Sequence, residues 1–286
     1  MLTITLASKD VLDQLRNWLL FFNEYKEFKL LCFCTDKESI LFCEKNNIQY
    51  KNIIEVHKEN NNNFWITKSY IFKEASKDNK FIYSDLDAIW IKNPHGYLDN
   101  YKTLDIVFSQ GTYFPKQTRD VLGFVFCAGF FVVNNKNLKT FFHLVYDLSK
   151  NSKNNDDQYH INNLLMEELE VNHLLDKQEV KFKNEKFFIY DELLLMYSKK
   201  YKFKVGLLPH KFFVRNDNLD ISKAIVVHPL SKIEYRDTIY FFHKKGLLHK
   251  NYGTLKVINR IVLNKAIDIY YFFKNKIKKI FFKKIV

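Results

Sequence analysis

The chain has 286 residues, a formal charge of +13 and a 47% hydrophobic composition. That much apolar surface excludes a disordered chain, and the length allows one large domain or two small ones. The charge points to an anionic partner: a phosphorylated small molecule, a membrane surface or a nucleic acid.

Residues 2–7, "LTITLA", predict a buried strand. A helix follows in "KDVLDQLRNWLLFFNEY", with Leu12, Leu15, Leu19 and Phe22 at helical spacing. "FKLLCFC" predicts a second strand, and "DKESILFCEKNN" a helix capped by Thr35 or Asp36. "IQYKNIIEV" predicts a third strand. In "NNNNFWITKSYIFKEAS" a polar run caps a further helix. "KFIYSD" predicts a fourth strand that runs into Asp85 and Asp87.

Strands alternating with helices imply an α/β fold with a mainly parallel sheet, whose ligands bind beyond the carboxyl ends of the strands. Further on, "LDIVFS" predicts a strand. "GFVFCAGFFVVNN" predicts a strand or strand pair with a close backbone approach at Gly129. "KNLKTFFHLVYDLSK" and "NNDDQYHINNLLMEEL" predict helices, and residues 171–230 short strands and loops. Residues 1–254 are expected to form one catalytic domain and 255–286 a tail.

The tail carries nine Lys or Arg against one Asp. Phe272, Phe273, Lys276, Ile277, Ile280 and Phe281 can divide into an apolar stripe and a basic face, as in a helix lying on anionic lipid. The other reading is a helix that packs its apolar side on the domain. The N-terminus lacks a signal-peptide pattern and no uncharged apolar stretch is long enough to span a bilayer. A cytoplasmic protein is expected, with a peripheral seat on the membrane face. Cys32, Cys34, Cys43 and Cys127 show no zinc-type spacing and read as free thiols in a reducing compartment.

Asp85 and Asp87 are two apart on an extended chain, so both carboxylates can aim at one point. Such a pair suits a hard divalent cation, Mg²⁺ or Mn²⁺, that neutralises a departing diphosphate. A solvated turn at a strand end is the alternative for the pair alone.

The segment "FIYSDLDAIWIKNP" resembles the metal-binding motif of the nucleotide-diphospho-sugar transferases, glycosyltransferases of the GT-A fold. "CAGFFVVNN", "NDDQYHIN" and "VVHPLSK" resemble, in the family's order, its glycine-containing strand, its acidic-Gln segment and its late histidine. The resemblance covers about residues 2–232. It implies a GT-A-like, Rossmann-type, mixed and mainly parallel sheet flanked by helices.

The resemblance also implies roles. Asp85 would touch the donor ribose or the metal, Asp87 would ligate the metal, and His228 would be the third protein ligand. Lys68 would hold the nucleotide or diphosphate, Ala7 and Ser8 would line the nucleotide pocket, and Lys232 would neutralise the leaving diphosphate. Asp157 and Gln158 would lie near the reacting sugar carbon. Asp156 is adjacent and can face inward instead, and this segment can also serve as a helix cap. "HPLSKIEY" lacks the glycine and the Lys-Pro-Trp run usual after that histidine. Trp65 and Trp90 read as core rather than as sugar platforms.

The function implied is a metal-dependent glycosyltransferase, with Mn²⁺ or Mg²⁺ as cofactor. It would move a sugar from a nucleotide-diphosphate donor to a saccharide or glycolipid hydroxyl, as in capsule or lipooligosaccharide synthesis. The resemblance leans to a retaining outcome. Another metal-dependent phosphoryl enzyme, such as a nucleotidyltransferase, is one alternative. A nucleic-acid-binding protein is the other, although no helix-turn-helix, RRM or zinc pattern is present.

Overall fold

The computed structural model describes residues 1–77, 80–135, 138–171, 176–182, 184–234, 237–253 and 255–282. In chain order the elements of the first half are β1 (Leu2–Ala7), α1 (Leu12–Phe22), β2 (Lys29–Cys34), α2 (Lys37–Lys45), β3 (Tyr50–Asn52), α3 (Ile54–Glu59), α4 (Phe64–Ala75), β4 (Phe81–Ser84) and β5 (Ile89–Trp90). Then come α5 (His95–Asp99), β6 (Ile106–Gln110), α6 (Lys116–Leu122), β7 (Phe126–Val133), α7 (Lys139–Asn151) and α8 (Asp157–Met166). The rest are β8 (Leu169–Val171), β9 (Gln178–Phe182), β10 (Glu185–Ile189), β11 (Leu194–Ser198), β12 (Phe203–Leu207), β13 (Phe213–Val214), β14 (Val226–Val227), α9 (Thr238–Lys244) and α10 (Leu255–Phe282).

The main sheet has the order β3-β2-β1-β4-β7-β6-β12-β11-β8. Only β7 and β11 run against the other strands, so the expected mixed, mainly parallel sheet is present. β1, β2 and β4 therefore end side by side, and the open carboxyl edge they share carries Ala7, Cys34 and Ser84. Antiparallel β7 enters at that same edge, where Phe130 pairs with Ser84. A separate ribbon, β13-β14-β5, sits downstream of the acidic pair.

Helix caps follow the polar residues. Asp36 caps α2 in a capping box with Ser39, and Asn63 caps α4. One predicted element differs. The stretch "IQYKNIIEV" is strand only over Tyr50–Asn52 and then turns into α3. The Asn52 side chain accepts a hydrogen bond from the Ile54 N–H at 3.0 Å and turns the chain. Ile53 and Val56, three apart, then face the core as helix spacing allows.

The core is unusually aromatic. Phe131 on β7 stacks on Tyr83 at 5.5 Å and on Phe142 of α7 at 5.8 Å, and meets Phe72 of α4 edge-on at 4.9 Å. These rings tie β4 to the helices that cover it. Trp90 is fully buried, as expected, with its indole N–H donating to the Ser84 hydroxyl at 3.1 Å. Trp65 is not core: it is 46% exposed on α4. Its position at the first turn of the helix lets it face solvent while Ile66 packs inward.

The chain forms two compact units, Met1–Leu230 and Ser231–Val286. In the second, Asp237 caps α9 and pairs with Arg260 of α10, and Tyr240 donates to Asp268 at 2.8 Å. The expected basic tail is the long helix of this unit. Of its predicted stripe only Phe273 has a described side chain, and it is exposed. The side chains of Phe272, Lys276, Ile277, Ile280 and Phe281 lie outside the described residues. Among the described residues no helix is long and apolar enough to cross a membrane.

Phe131 is fully buried among rings, so Phe131→Ala is expected to destabilise the chain by about 3–5 kcal/mol through the cavity it leaves. Urea unfolding checks this. A loss below about 1 kcal/mol would show that the core collapses around the gap.

Candidate functional site

The site is built where β4 ends. Asp85 follows the strand directly, and its N–H donates to the Gly129 carbonyl of β7 at 2.7 Å. The chain then turns through Asp87 into β5. β5 pairs antiparallel with β14, Val227 lying opposite Ile89, and the residue after β14 is His228. This pairing brings a histidine from late in the sequence back to the acidic pair. The His228 Nε2 lies 3.2 Å from Asp87 Oδ1 and 3.9 Å from Asp85 Oδ2.

Gly129 makes this convergence possible. A Cβ there would lie 2.1 Å from His228 Cε1 and 2.6 Å from Asp85 Oδ2. The close backbone approach expected at this residue is thus an approach to the site itself.

Lys68 of α4 supplies the balancing charge. Its ammonium lies 3.2 Å from Asp85 Oδ1 and 3.4 Å from Asp157 Oδ2, and the side chain is only 3% exposed. Burial alone would lower the Lys68 pKa, but the Asp157 and Asp85 carboxylates outweigh it and hold the lysine above its ordinary value. Tyr83 donates to Asp85 Oδ1 at 2.5 Å. Asp85 is therefore fixed from two sides. Lys68, expected at the nucleotide or diphosphate, has its ammonium between these two carboxylates.

Asp156, not Asp157, caps α8, accepting from the Tyr159 N–H at 2.8 Å. This frees Asp157 to point inward, where it is fully buried. Burial raises its pKa from 3.8 to about 7 despite the nearby Lys68, with Asp156 and Asp85 adding to the rise. Gln158, half-buried beside it, is pinned at both ends. Its oxygen accepts from the Ala128 N–H at 3.0 Å and its amide donates to the Phe114 carbonyl at 2.7 Å.

Ala7 and Ser8 end β1 on the same edge. The Ala7 carbonyl accepts from both the N–H and the hydroxyl of Thr35, at 3.1 and 3.2 Å. Lys232 lies in the second compact unit, in the turn Ser231–Glu234.

Three contributors escape a reading by motif. Tyr83 could have been found, because it precedes Asp85 by two on a strand and so points the same way. Cys127 lies with its Sγ 3.5 Å from His228 Nδ1. Burial raises its thiol, but His228 and Arg215 pull it down to about 6. Arg215 donates to the carbonyls of His228 and Pro229 at 2.9 and 3.0 Å and so fixes that loop. No local pattern marks Cys127 or Arg215. Trp65 is exposed on α4, with the Lys68 ammonium 5.8 Å from its ring centroid.

Asp85, Asp87 and His228 each offer an atom, and these atoms lie within 4.8 Å of one another. Two carboxylates and an imidazole fit Mn²⁺ or Mg²⁺. Burial and Arg215 lower the His228 pKa, which keeps the ring neutral as a ligand must be. The Cys127 contact occupies Nδ1 and turns Nε2 toward the carboxylates.

The family model of the nucleotide-diphospho-sugar transferases matches residues 28–242, and the chain belongs to that family. A search of curated proteins found no match. Among solved structures, the glycosyltransferase GlyE of Streptococcus pneumoniae TIGR4 is 13% identical, with a TM-score of 0.42 over 57% of this chain and 42% of GlyE. The galactosyltransferase LgtC, solved with donor and acceptor sugar analogues, is 13% identical with a TM-score of 0.42, over 57% of this chain and 70% of LgtC. Mouse xyloside xylosyltransferase 1 is 9% identical with a TM-score of 0.39, over 58% of this chain and 81% of that one. The matched region thus spans less than half of GlyE, and family membership rests on the family model.

Two outcomes follow from this geometry. Gly129→Ala should push His228 and Asp85 apart and weaken Mn²⁺ binding about 10–100-fold. Electron paramagnetic resonance of free Mn²⁺ measures this, and unchanged affinity would show that the three donors do not share an ion. Asp157 binds its proton more tightly folded than unfolded, so the metal-free protein should lose stability as pH rises from 3.8 to about 7. Urea unfolding across that window should show a shallower fall for Asp157→Asn; equal slopes would refute the assignment.

Proposed function

We propose that this chain is a divalent-metal-dependent glycosyltransferase acting from a nucleotide-diphosphate sugar on a saccharide or glycolipid hydroxyl. The observation that supports it best is the convergence of Asp85, Asp87 and His228 at the carboxyl edge of the sheet, in a member of the nucleotide-diphospho-sugar transferase family.

In this reading Asp87 and His228, with Asp85, hold Mn²⁺ or Mg²⁺. A divalent ion there supplies charge neutralisation for the departing diphosphate. Lys68 is a positioning residue: together with the Tyr83 hydroxyl it holds the Asp85 carboxylate in place. Ala7 and Ser8 line the nucleotide pocket. Gln158 is better suited than Asp157 to steady the positive charge that develops on the sugar, because Asp157 is fully buried and Gln158 only half. The proposed outcome is retention, with the donor's own phosphate oxygen taking the acceptor's proton. Trp65, exposed beside Lys68, offers a stacking face for the sugar or base.

A cytoplasmic seat on an anionic membrane surface belongs to the same proposal, with acceptors of the capsule or lipooligosaccharide type. Its support is α10, which exposes Ile258, Val262, Ile269 and Phe273 on a basic helix.

The test is a thermal-shift screen of nucleoside diphosphates and nucleotide sugars with and without Mn²⁺. A matching donor should raise the melting temperature only with the ion, and Asp87→Ala should abolish that dependence. An unaltered shift in Asp87→Ala would end the site assignment. Once a donor is found, Trp65→Ala should raise its KM about tenfold with kcat little changed. An unchanged KM would remove Trp65 from the binding surface.

A further inference from the structure

Three of the four cysteines meet at the edge of the sheet, apart from the acidic pair. Cys32 and Cys34 share one face of β2, and Cys43 comes down on them from α2. Cys34 Sγ lies 3.6 Å from Cys43 Sγ and 4.0 Å from Cys32 Sγ, and all three sulfurs fall within 4.8 Å of one another. All three are buried free thiols. Three sulfurs arranged in a plane around an ion, each about 2.3 Å from it, stand about 4.0 Å apart. The cluster already has roughly that spacing.

We propose that Cys32, Cys34 and Cys43 form a buried three-sulfur site for a soft monovalent cation, Cu(I), which clamps α2 to the sheet. Thiolate donors select soft ions. Among the described residues no fourth His, Cys, Asp or Glu joins the cluster, which suits a trigonal ion better than tetrahedral Zn²⁺.

Entry and consequence follow from α2. The helix has nine residues and buries only Ser39 and Cys43, so it can open locally at less cost than the sheet beneath it. A bound ion would fasten it at one of its two docking points. Cys34 pairs with Ala7 across β1 and β2, so the clamp would stiffen the same edge that ends in Ala7 and Ser8. The inference does not depend on the glycosyltransferase reading, since it concerns binding alone.

The test uses the full chain, reduced, metal-free and anaerobic, mixed with Cu(I) held by a coloured chelator. One Cu(I) per chain should leave the chelator, and the unfolding midpoint should rise by several degrees. Slow alkylation read by mass should mark all four cysteines in the metal-free chain and Cys127 alone in the loaded one. Cys43→Ser and Cys32→Ser should each weaken copper binding at least tenfold, and Cys127→Ser should leave it unchanged. No copper uptake, uptake unaltered in Cys43→Ser, or thiols lost in pairs with no copper bound would overturn the proposal. The alkylation pattern is read on the unmutated chain, so it decides the question even if a variant fails to fold.

Discussion

The site depends on one buried charge, the ammonium of Lys68. Asp157 is fully buried and the Asp85 side chain only 21% exposed, and carboxylates taken out of water call for a cation at hand. Lys68 stands between them at 3.2 and 3.4 Å. Its contact with Asp85 leaves Asp87 and His228 to face each other at 3.2 Å. The acidic pair is thus divided by its surroundings: one carboxylate is held by protein groups, the other lies against an imidazole that can ligate an ion. Removing one member of such a set strands the others, which is why buried charge networks are sensitive to single changes.

Backbone geometry makes that arrangement reachable. The β5–β14 pairing returns His228 to the acidic turn, and Arg215 fixes the loop that follows through two carbonyls. Gly129 leaves the space in which His228 and Asp85 approach each other. The aromatic block around Phe131 holds β4 and β7 in register, so these small distances rest on a rigid support. A strand end, a ribbon pairing and a glycine are each ordinary features; together they put three donor atoms within reach of a single ion.

The carboxyl edge also links the two clusters. β2 ends in Cys34 and Thr35, and β1 ends in Ala7, whose carbonyl takes both Thr35 donors. One side of the edge is hard, made of carboxylate oxygens and imidazole, and the other is soft, made of thiols. Ions of different chemistry would therefore be sorted by donor type within the same sheet.

Much of this was legible in the sequence. Alternating apolar runs and capping residues such as Asp36 and Asn63 determined the strand–helix order, because local propensity and backbone capping act over a few residues. The two-residue spacing of Asp85 and Asp87 marked the candidate site, but the pair lies past the end of β4 in a turn closed by the Ala88 N–H on the Asp85 carbonyl at 3.0 Å, and strand alternation relates only Tyr83 to Asp85. The third strand was overextended because the turn at Asn52 outweighed β-branched propensity. Trp65 was placed inside because a large ring reads as core wherever its partners are unknown. Only the tertiary structure decided which of Asp156 and Asp157 faces inward, that Lys68 lies between two carboxylates, and that Cys43 meets Cys32 and Cys34. Those outcomes turn on contacts between residues far apart in the chain, and the geometry that sets them exists only once the sheet has formed.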